Sequence, residues 1–180
     1  MRSTETSNQK LPPVKNILIV GNGGRENALA WGLSNSKSVE KIFITPGNGG
    51  SEDFTNCFSL NIRANDVERI KSECKSSQID LVVIGPEAPL AEGLADNLRE
   101  AGITVFGPGK DGAQLEASKN WAKSLMKRSG IPTANHWAIN NEKEALQILR
   151  QVNRPLVVKA NGLAGGKGVT VPKTIDETIK

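Results

Sequence analysis

The sequence predicts an α/β protein: a doubly wound parallel sheet followed by a second, partial α+β unit. Three observations carry that prediction. Short apolar, β-branched runs alternate with amphipathic stretches of helix length from residue 14 to residue 108, the pattern of successive β-α-β units. Three of those runs end in glycine-rich turns, at the carboxyl edge where open parallel sheets bind their ligands. Past residue 112 the pattern changes to helices, then to two short apolar runs around a long glycine loop.

The first strand is Lys-Asn-Ile-Leu-Ile-Val at 15–20, a continuous run of the kind buried on both faces of a sheet. It enters Gly-Asn-Gly-Gly-Arg-Glu at 21–26, and a helix follows with Ala28, Leu29, Trp31 and Leu33. Strand, glycine turn and helix N-terminus together favour an anion. The second strand, 41–45, closes on Pro-Gly-Asn-Gly-Gly at 46–50. A helix with Val67, Ile70 and Cys74 on one face comes next, at i, i+3 and i+7. The third strand, 80–84, ends on Gly-Pro-Glu-Ala-Pro-Leu at 85–90, and one helix carrying Leu90, Leu94 and Leu98 is expected up to a Gly102 cap. The fourth strand is 103–106.

The obvious rival ligand for the first turn is a dinucleotide. Its fingerprint, G-x-G-x-x-G with an acidic residue about 20 positions on, fails twice. Glu26 fills the third glycine position, and the second strand ends without a carboxylate. Arg25 and Glu26 point instead to a phosphate partner and a hydrogen-bond acceptor for a smaller ligand. A cation at a helix start is electrostatically unfavourable unless an anion comes near. Glu87, fixed between two prolines, suits either a helix start or a binding role.

Residues 109–117 read as a linker. Ser118 is an N-cap for a helix reaching Ser129, with Trp121, Leu125 and Met126 as its apolar side and Lys119 in its first turn. A short strand is expected at 136–139 and a helix at 142–152. Two strands, 156–158 and 169–171, then flank a loop holding Gly162, Gly165, Gly166, Lys167 and Gly168, with Lys159 at its entrance. Glycines admit close backbone approach to a polyanion and lysines add point charge. The loop is not a Walker motif: Asn161 stands six positions before Lys167, Gly168 follows it, and a strand comes next. Read alone, it suits a triphosphate clamp and a loose hairpin equally. A final helix begins near Thr174.

Composition narrows the function classes. The net charge is +4 and the basic residues are dispersed, so no nucleic-acid surface is expected. Two cysteines without a CxxC spacing and a single histidine, His136, argue against a zinc or iron–sulfur site. The longest apolar runs are strand-length, so no membrane span is expected. Residues 1–13 read as a disordered polar tail, and the reading is of a soluble intracellular protein: cytoplasmic, or in the plastid stroma if the source is a plant.

Six segments together resemble the glycinamide ribonucleotide synthetases of the ATP-grasp superfamily. They are 21–26, 46–48, 85–90, Gln-Leu-Glu-Ala-Ser-Lys at 114–119, Ile-Pro-Thr-Ala at 131–134 and Val-Val-Lys-Ala-Asn-Gly-Leu-Ala-Gly-Gly-Lys-Gly-Val at 157–169. The resemblance implies a Rossmann-like pre-ATP-grasp domain at 14–108 and the first, incomplete part of an ATP-grasp domain at 118–180. It implies an ADP-forming ligase of purine biosynthesis that joins glycine to 5-phosphoribosylamine through an acyl phosphate. By motif, Gly23, Gly24, Arg25, Glu26, Gly47, Asn48 and Glu87 would hold the phosphoribosylamine. Lys119 and Lys159 would contact ATP phosphates, and Lys167 with Gly162, Gly165, Gly166 and Gly168 would close over them. No residue is singled out as catalytic. Magnesium or manganese ligands are expected only beyond residue 180, since family members run to more than twice this length. The chain also departs from the family pattern at Asn27, where His is usual, at Asn161, where Asp is usual, and at Gly165, where Ala is usual.

Overall fold

The computed structural model describes residues 13–180. The tail expected at 1–13 therefore lies, but for Pro13, outside the described residues. The chain divides into two units, one ending at Pro108 and the other Gly109–Lys180.

The first unit runs β1 (Asn16–Gly21), α1 (Gly24–Ser34), β2 (Lys41–Pro46), β3 (Cys57–Ser59), α2 (Val67–Ser76), β4 (Leu81–Ile84), α3 (Glu87–Glu92), α4 (Leu94–Glu100) and β5 (Val105–Phe106). All its strand pairs are parallel, in the order β3-β2-β1-β4-β5. The apolar run of β1 lies at the centre: Ile17, Leu18, Ile19 and Val20 are all at most 1% exposed. Both faces of β1 are therefore covered, as the absence of polar alternation predicts. Ile17 and Ile19 pack with Ala30 of α1, Ile42 and Ile44 of β2 and Val83 of β4. Each such side chain contributes roughly 1.5–3 kcal/mol by leaving water. Thr45 is a polar residue in this core, and its hydroxyl donates to the Ile62 carbonyl at 2.6 Å.

The structure corrects the sequence reading at two places in this unit. β3 was not expected; three residues, of which only Cys57 is buried, give no readable alternation. The single helix expected after the third predicted strand is two helices, because Gly93 stands between them in the left-handed region at φ +96°. Leu90, Leu94 and Leu98 are nevertheless all buried.

The second unit runs α5 (Lys110–Ala117), α6 (Lys119–Arg128), α7 (Glu142–Val152), β6 (Val158–Lys159), β7 (Val169–Thr170) and α8 (Ile175–Ile179). Residues 109–117, read as a linker, are thus mostly helical: Gly109 serves as N-cap and Asp111 sits in the first turn. Ser118 caps α6 as expected, its hydroxyl accepting from the Trp121 N–H. No strand forms at 136–139, where every residue is exposed and none pairs in a sheet. β6 and β7 pair antiparallel and carry the glycine loop as a hairpin. Among the described residues no helix is long and apolar enough to cross a membrane.

Candidate functional site

The strand order of the first unit places its topological switch between β1 and β4, the place where open α/β sheets commonly bind their ligands. The turns after β1, β2 and β4 meet there, and backbone bonds hold them in register. The Gly85 N–H donates to the Val20 carbonyl at 3.0 Å, and the Gly47 N–H donates to the Gly21 carbonyl at 3.1 Å.

Side chains from the first turn then lock the three loops together. Glu26 is 4% exposed, and its carboxylate accepts from the Gly23 N–H at 2.7 Å. The rest of that side chain fills the space over two glycines. A Cβ on Gly21 would lie 2.4 Å from Glu26 Cγ, and one on Gly85 would lie 2.0 Å from Glu26 Oε1. Gly21 also holds φ +139°. Both positions therefore need glycine for the close approach of Glu26. The sequence reading offered Glu26 as an acceptor for a ligand; the structure turns it inward, as the wedge that shapes the turn.

Arg25 lies on the surface and donates to the Gly85 carbonyl, tying the β1 turn to the β4 turn. Asn48 does the same for β2: its amide donates to the carbonyls of Asn22 at 3.0 Å and Gly23 at 3.3 Å, while its own oxygen accepts from the Gly50 N–H at 2.9 Å. Gly47 is left-handed at φ +74°, with Ser51 and Ser59 hydroxyls 3.0 Å from where a Cβ would stand. Gly23 is the N-cap of α1, and Gly24 begins the helix with no other atom within 4 Å of an added Cβ. Glu87 is the first residue of α3, half-buried, and its carboxylate makes no bond to any described residue. The seven predicted residues thus gather at one sheet edge, with Gly24, the Arg25 guanidinium and Glu87 toward solvent. Asn27 is half-buried with its side-chain oxygen sealed from water and unpartnered.

In the second unit the ammonium of Lys119 donates to the Gly162 carbonyl at 2.9 Å. Lys119, Lys159 and Asn161 line one cleft of about 820 Å³, together with apolar side chains such as Trp137, Leu149 and Val158. The combination of cationic groups with an apolar wall suits a nucleotide, and the volume falls in the usual range for small-molecule sites. Lys123 braces the wall, donating to the Thr133 hydroxyl at 2.6 Å and the Ala134 carbonyl at 2.8 Å. Gly162, Gly165 and Gly166 all hold positive φ, at +94°, +53° and +77°. Gly168 needs its glycine for a different reason: a Cβ would stand 2.6 Å from that of Ala164. Lys167 is exposed at the hairpin tip and outside the cleft lining. Among the described residues no three His, Cys, Asp or Glu side chains group so as to hold a metal ion, so those residues alone do not fit a metal site.

Sequence reasoning noted Asn161 only as a departure from the Walker and family patterns and gave it no contact. Its bonds reach 41 and 43 residues back along the chain, and no local pattern announces them.

Comparison with known proteins now gives the geometry a lineage. Residues 15–116 match the family model of the phosphoribosylglycinamide synthetase N domain, and residues 117–180 match that of the ATP-grasp (A) domain of the same synthetase. The chain belongs to this family. It is 47% identical over 161 residues to a phosphoribosylamine–glycine ligase of Nostoc sp., covering 89% of this chain and 38% of that protein. It is 45% identical over 167 residues to the enzyme of the same name from Clostridium acetobutylicum, covering 91% of this chain and 40% of that one. The crystal structure of the Thermotoga maritima phosphoribosylamine–glycine ligase superposes with a TM-score of 0.69 at 30% identity, over 91% of this chain and 37% of the other. The chain thus spans about two-fifths of the length of these relatives.

Proposed function

We propose that this chain is part of an ADP-forming ligase that joins glycine to 5-phosphoribosylamine, giving glycinamide ribonucleotide in purine synthesis. The observation that carries the proposal is the junction of three glycine turns at the switch point of the first unit. There an open Gly24 at a helix start and an unburied Arg25 guanidinium stand ready for a phosphate. Glu26 and Asn48 shape that pocket from within, and Glu87, free at its edge, is an acceptor for a ribose hydroxyl or amine. Gly23 and Gly47 let the backbone come close to the ligand. In the second unit Lys119 and Lys159 take ATP phosphates, and Lys167, with Gly162, Gly165, Gly166 and Gly168, covers them.

ATP, when bound, supplies the phosphoryl group that activates the glycine carboxylate. What the chain's own residues contribute is charge and position, which is most of what phosphoryl transfer asks of a protein. Magnesium or manganese ligands belong, on this reading, to the part of the family's length that this chain does not match.

The test is phosphate release by the whole protein with 5-phosphoribosylamine, glycine and magnesium ATP. Arg25→Ala should raise KM for phosphoribosylamine and leave KM for ATP unchanged. Release that is independent of glycine, or supported by another carboxylate in its place, would assign the chain to a different ligation. A second reading, a phosphoribosyl-binding module without catalysis, is favoured by the fact that the first unit has a core of its own. Binding of ribose 5-phosphate with no turnover in the whole protein would select it.

A further inference from the structure

The glycine hairpin is fastened to α6 at two adjacent points. Asn161 Oδ1 accepts from the Asn120 N–H at 3.2 Å and lies 3.4 Å from the Ser118 hydroxyl. One residue on, the Gly162 carbonyl accepts from the Lys119 ammonium at 2.9 Å. Lys119 and Asn120 are neighbours, as are Asn161 and Gly162, so the two bonds close a small ring between helix start and hairpin root. The Ser118 hydroxyl accepts from the Trp121 N–H at 3.2 Å and has its proton left for Asn161, which makes the ring continuous with the helix cap.

We infer that Asn161 is a positioning residue for Lys119: by pinning the hairpin root it fixes the Gly162 carbonyl, and that carbonyl fixes where the lysine ammonium sits. Gly162 holds its carbonyl from a left-handed backbone at φ +94°, and since glycine reaches many other conformations as readily, it is the neighbouring Asn161 bond that keeps the carbonyl in place. An amide oxygen does this work without charge. The first turn of α6 holds no acidic residue, so the positive helix end and the lysine ammonium stand together unneutralised. A carboxylate at 161 would make the same bond and cancel part of that field. The functional weight of this inference rests on the proposal that Lys119 meets ATP phosphates; the latch itself does not.

The experiment is trace acylation of lysines in the full chain without nucleotide, read peptide by peptide. Lys119 should label more slowly than Lys167. In Asn161→Ala its rate should rise about 3- to 10-fold, the release expected for one hydrogen bond of ordinary strength. Lys127, on the same helix two turns away, should not change. Asn161→Asp should restore slow labelling, because a carboxylate oxygen accepts the same N–H. Unchanged Lys119 labelling in Asn161→Ala, or labelling of Asn161→Asp as fast as the alanine variant, overturns the inference. If the alanine variant loses its helical circular dichroism, Asn161→Asp against the parent decides alone, with labelling no faster than the parent's expected and faster labelling fatal. Protection by magnesium ATP, measured separately, tests the nucleotide reading; its failure would leave the latch standing.

Discussion

Two glycines of α1 make the sharpest test of the first unit, because the structure treats them alike and the proposed site does not. An added Cβ meets nothing within 4 Å at either Gly24 or Gly32. Alanine at either position removes conformational freedom from the unfolded chain, and each replacement should stabilise by about 0.4–1 kcal/mol. For a unit of about 100 residues, that corresponds to a rise of roughly 2–6 °C in Tm. Their difference lies in place: Gly24 opens the helix among the three loops, and Gly32 lies near its far end. A methyl on Gly24 stands where a phosphate must approach the helix N–H groups, and losing one hydrogen bond to a charged group costs about 1.5–3 kcal/mol. Gly24→Ala should therefore weaken ribose 5-phosphate binding by roughly 10- to 100-fold while raising stability. Gly32→Ala should raise stability and leave binding unchanged. Urea unfolding and titration calorimetry on the full chain measure both quantities. Equal affinity in the two variants would refute the assignment of Gly24 to the ligand; a loss of stability in either would refute the reading of open space around it.

Three further outcomes are expected. Gly85→Ala drives a Cβ to 2.0 Å from Glu26 Oε1, so it should destabilise by about 1–3 kcal/mol in urea unfolding. The same change in a Glu26→Ala background should cost less, as a double-mutant cycle will register. Burial pushes the Cys74 thiol from its ordinary 9.0 up to about 11. The folded state then holds a proton that the unfolded state gives up, so stability should fall as pH rises from about 9 towards 11; Cys74→Ala should flatten that slope, seen in denaturant midpoints across this range. Gly168→Ala forces a Cβ to within 2.6 Å of that of Ala164, so the Ala160 N–H, which donates to the Gly168 carbonyl at 2.8 Å, should lose its hydrogen-exchange protection.

The elements written in period and cap were legible from the chain alone. β1 declares itself by an unbroken apolar run, α7 by its apolar spacing, and α6 by Ser118. What escaped was decided by tertiary contacts. β3 exists because three residues lie beside β2 in register, with Cys57 opposite Ile42. The expected strand at 136–139 found no neighbour to pair with. Residue placement in the first turn was less legible. Glycine, arginine and glutamate together suggest an anion site, but nothing in the sequence tells that Glu26 is buried while Arg25 is exposed.

The same residue type therefore does opposite work in the two units. Gly21 and Gly85 are glycine because Glu26 presses on them; any side chain there collides with the wedge that sets the loops. The shape of that loop junction is thus set by one of the protein's own side chains. Gly165 and Gly166 are glycine for their backbone alone: both are left-handed, and an added Cβ at either meets nothing. At those two tip positions an added methyl has room, whereas the hairpin root is held by Asn161 and by the Lys119 ammonium. On the proposed reading, a fixed root and an open tip suit a segment that admits a nucleotide and then covers its phosphates. Gly165 fits that division. A methyl there would be disfavoured at φ +53°, so Gly165→Ala should shift the tip away from this conformation while leaving the Asn120 amide protected from exchange. Loss of protection at Asn120 in that variant would show that tip and root move as one.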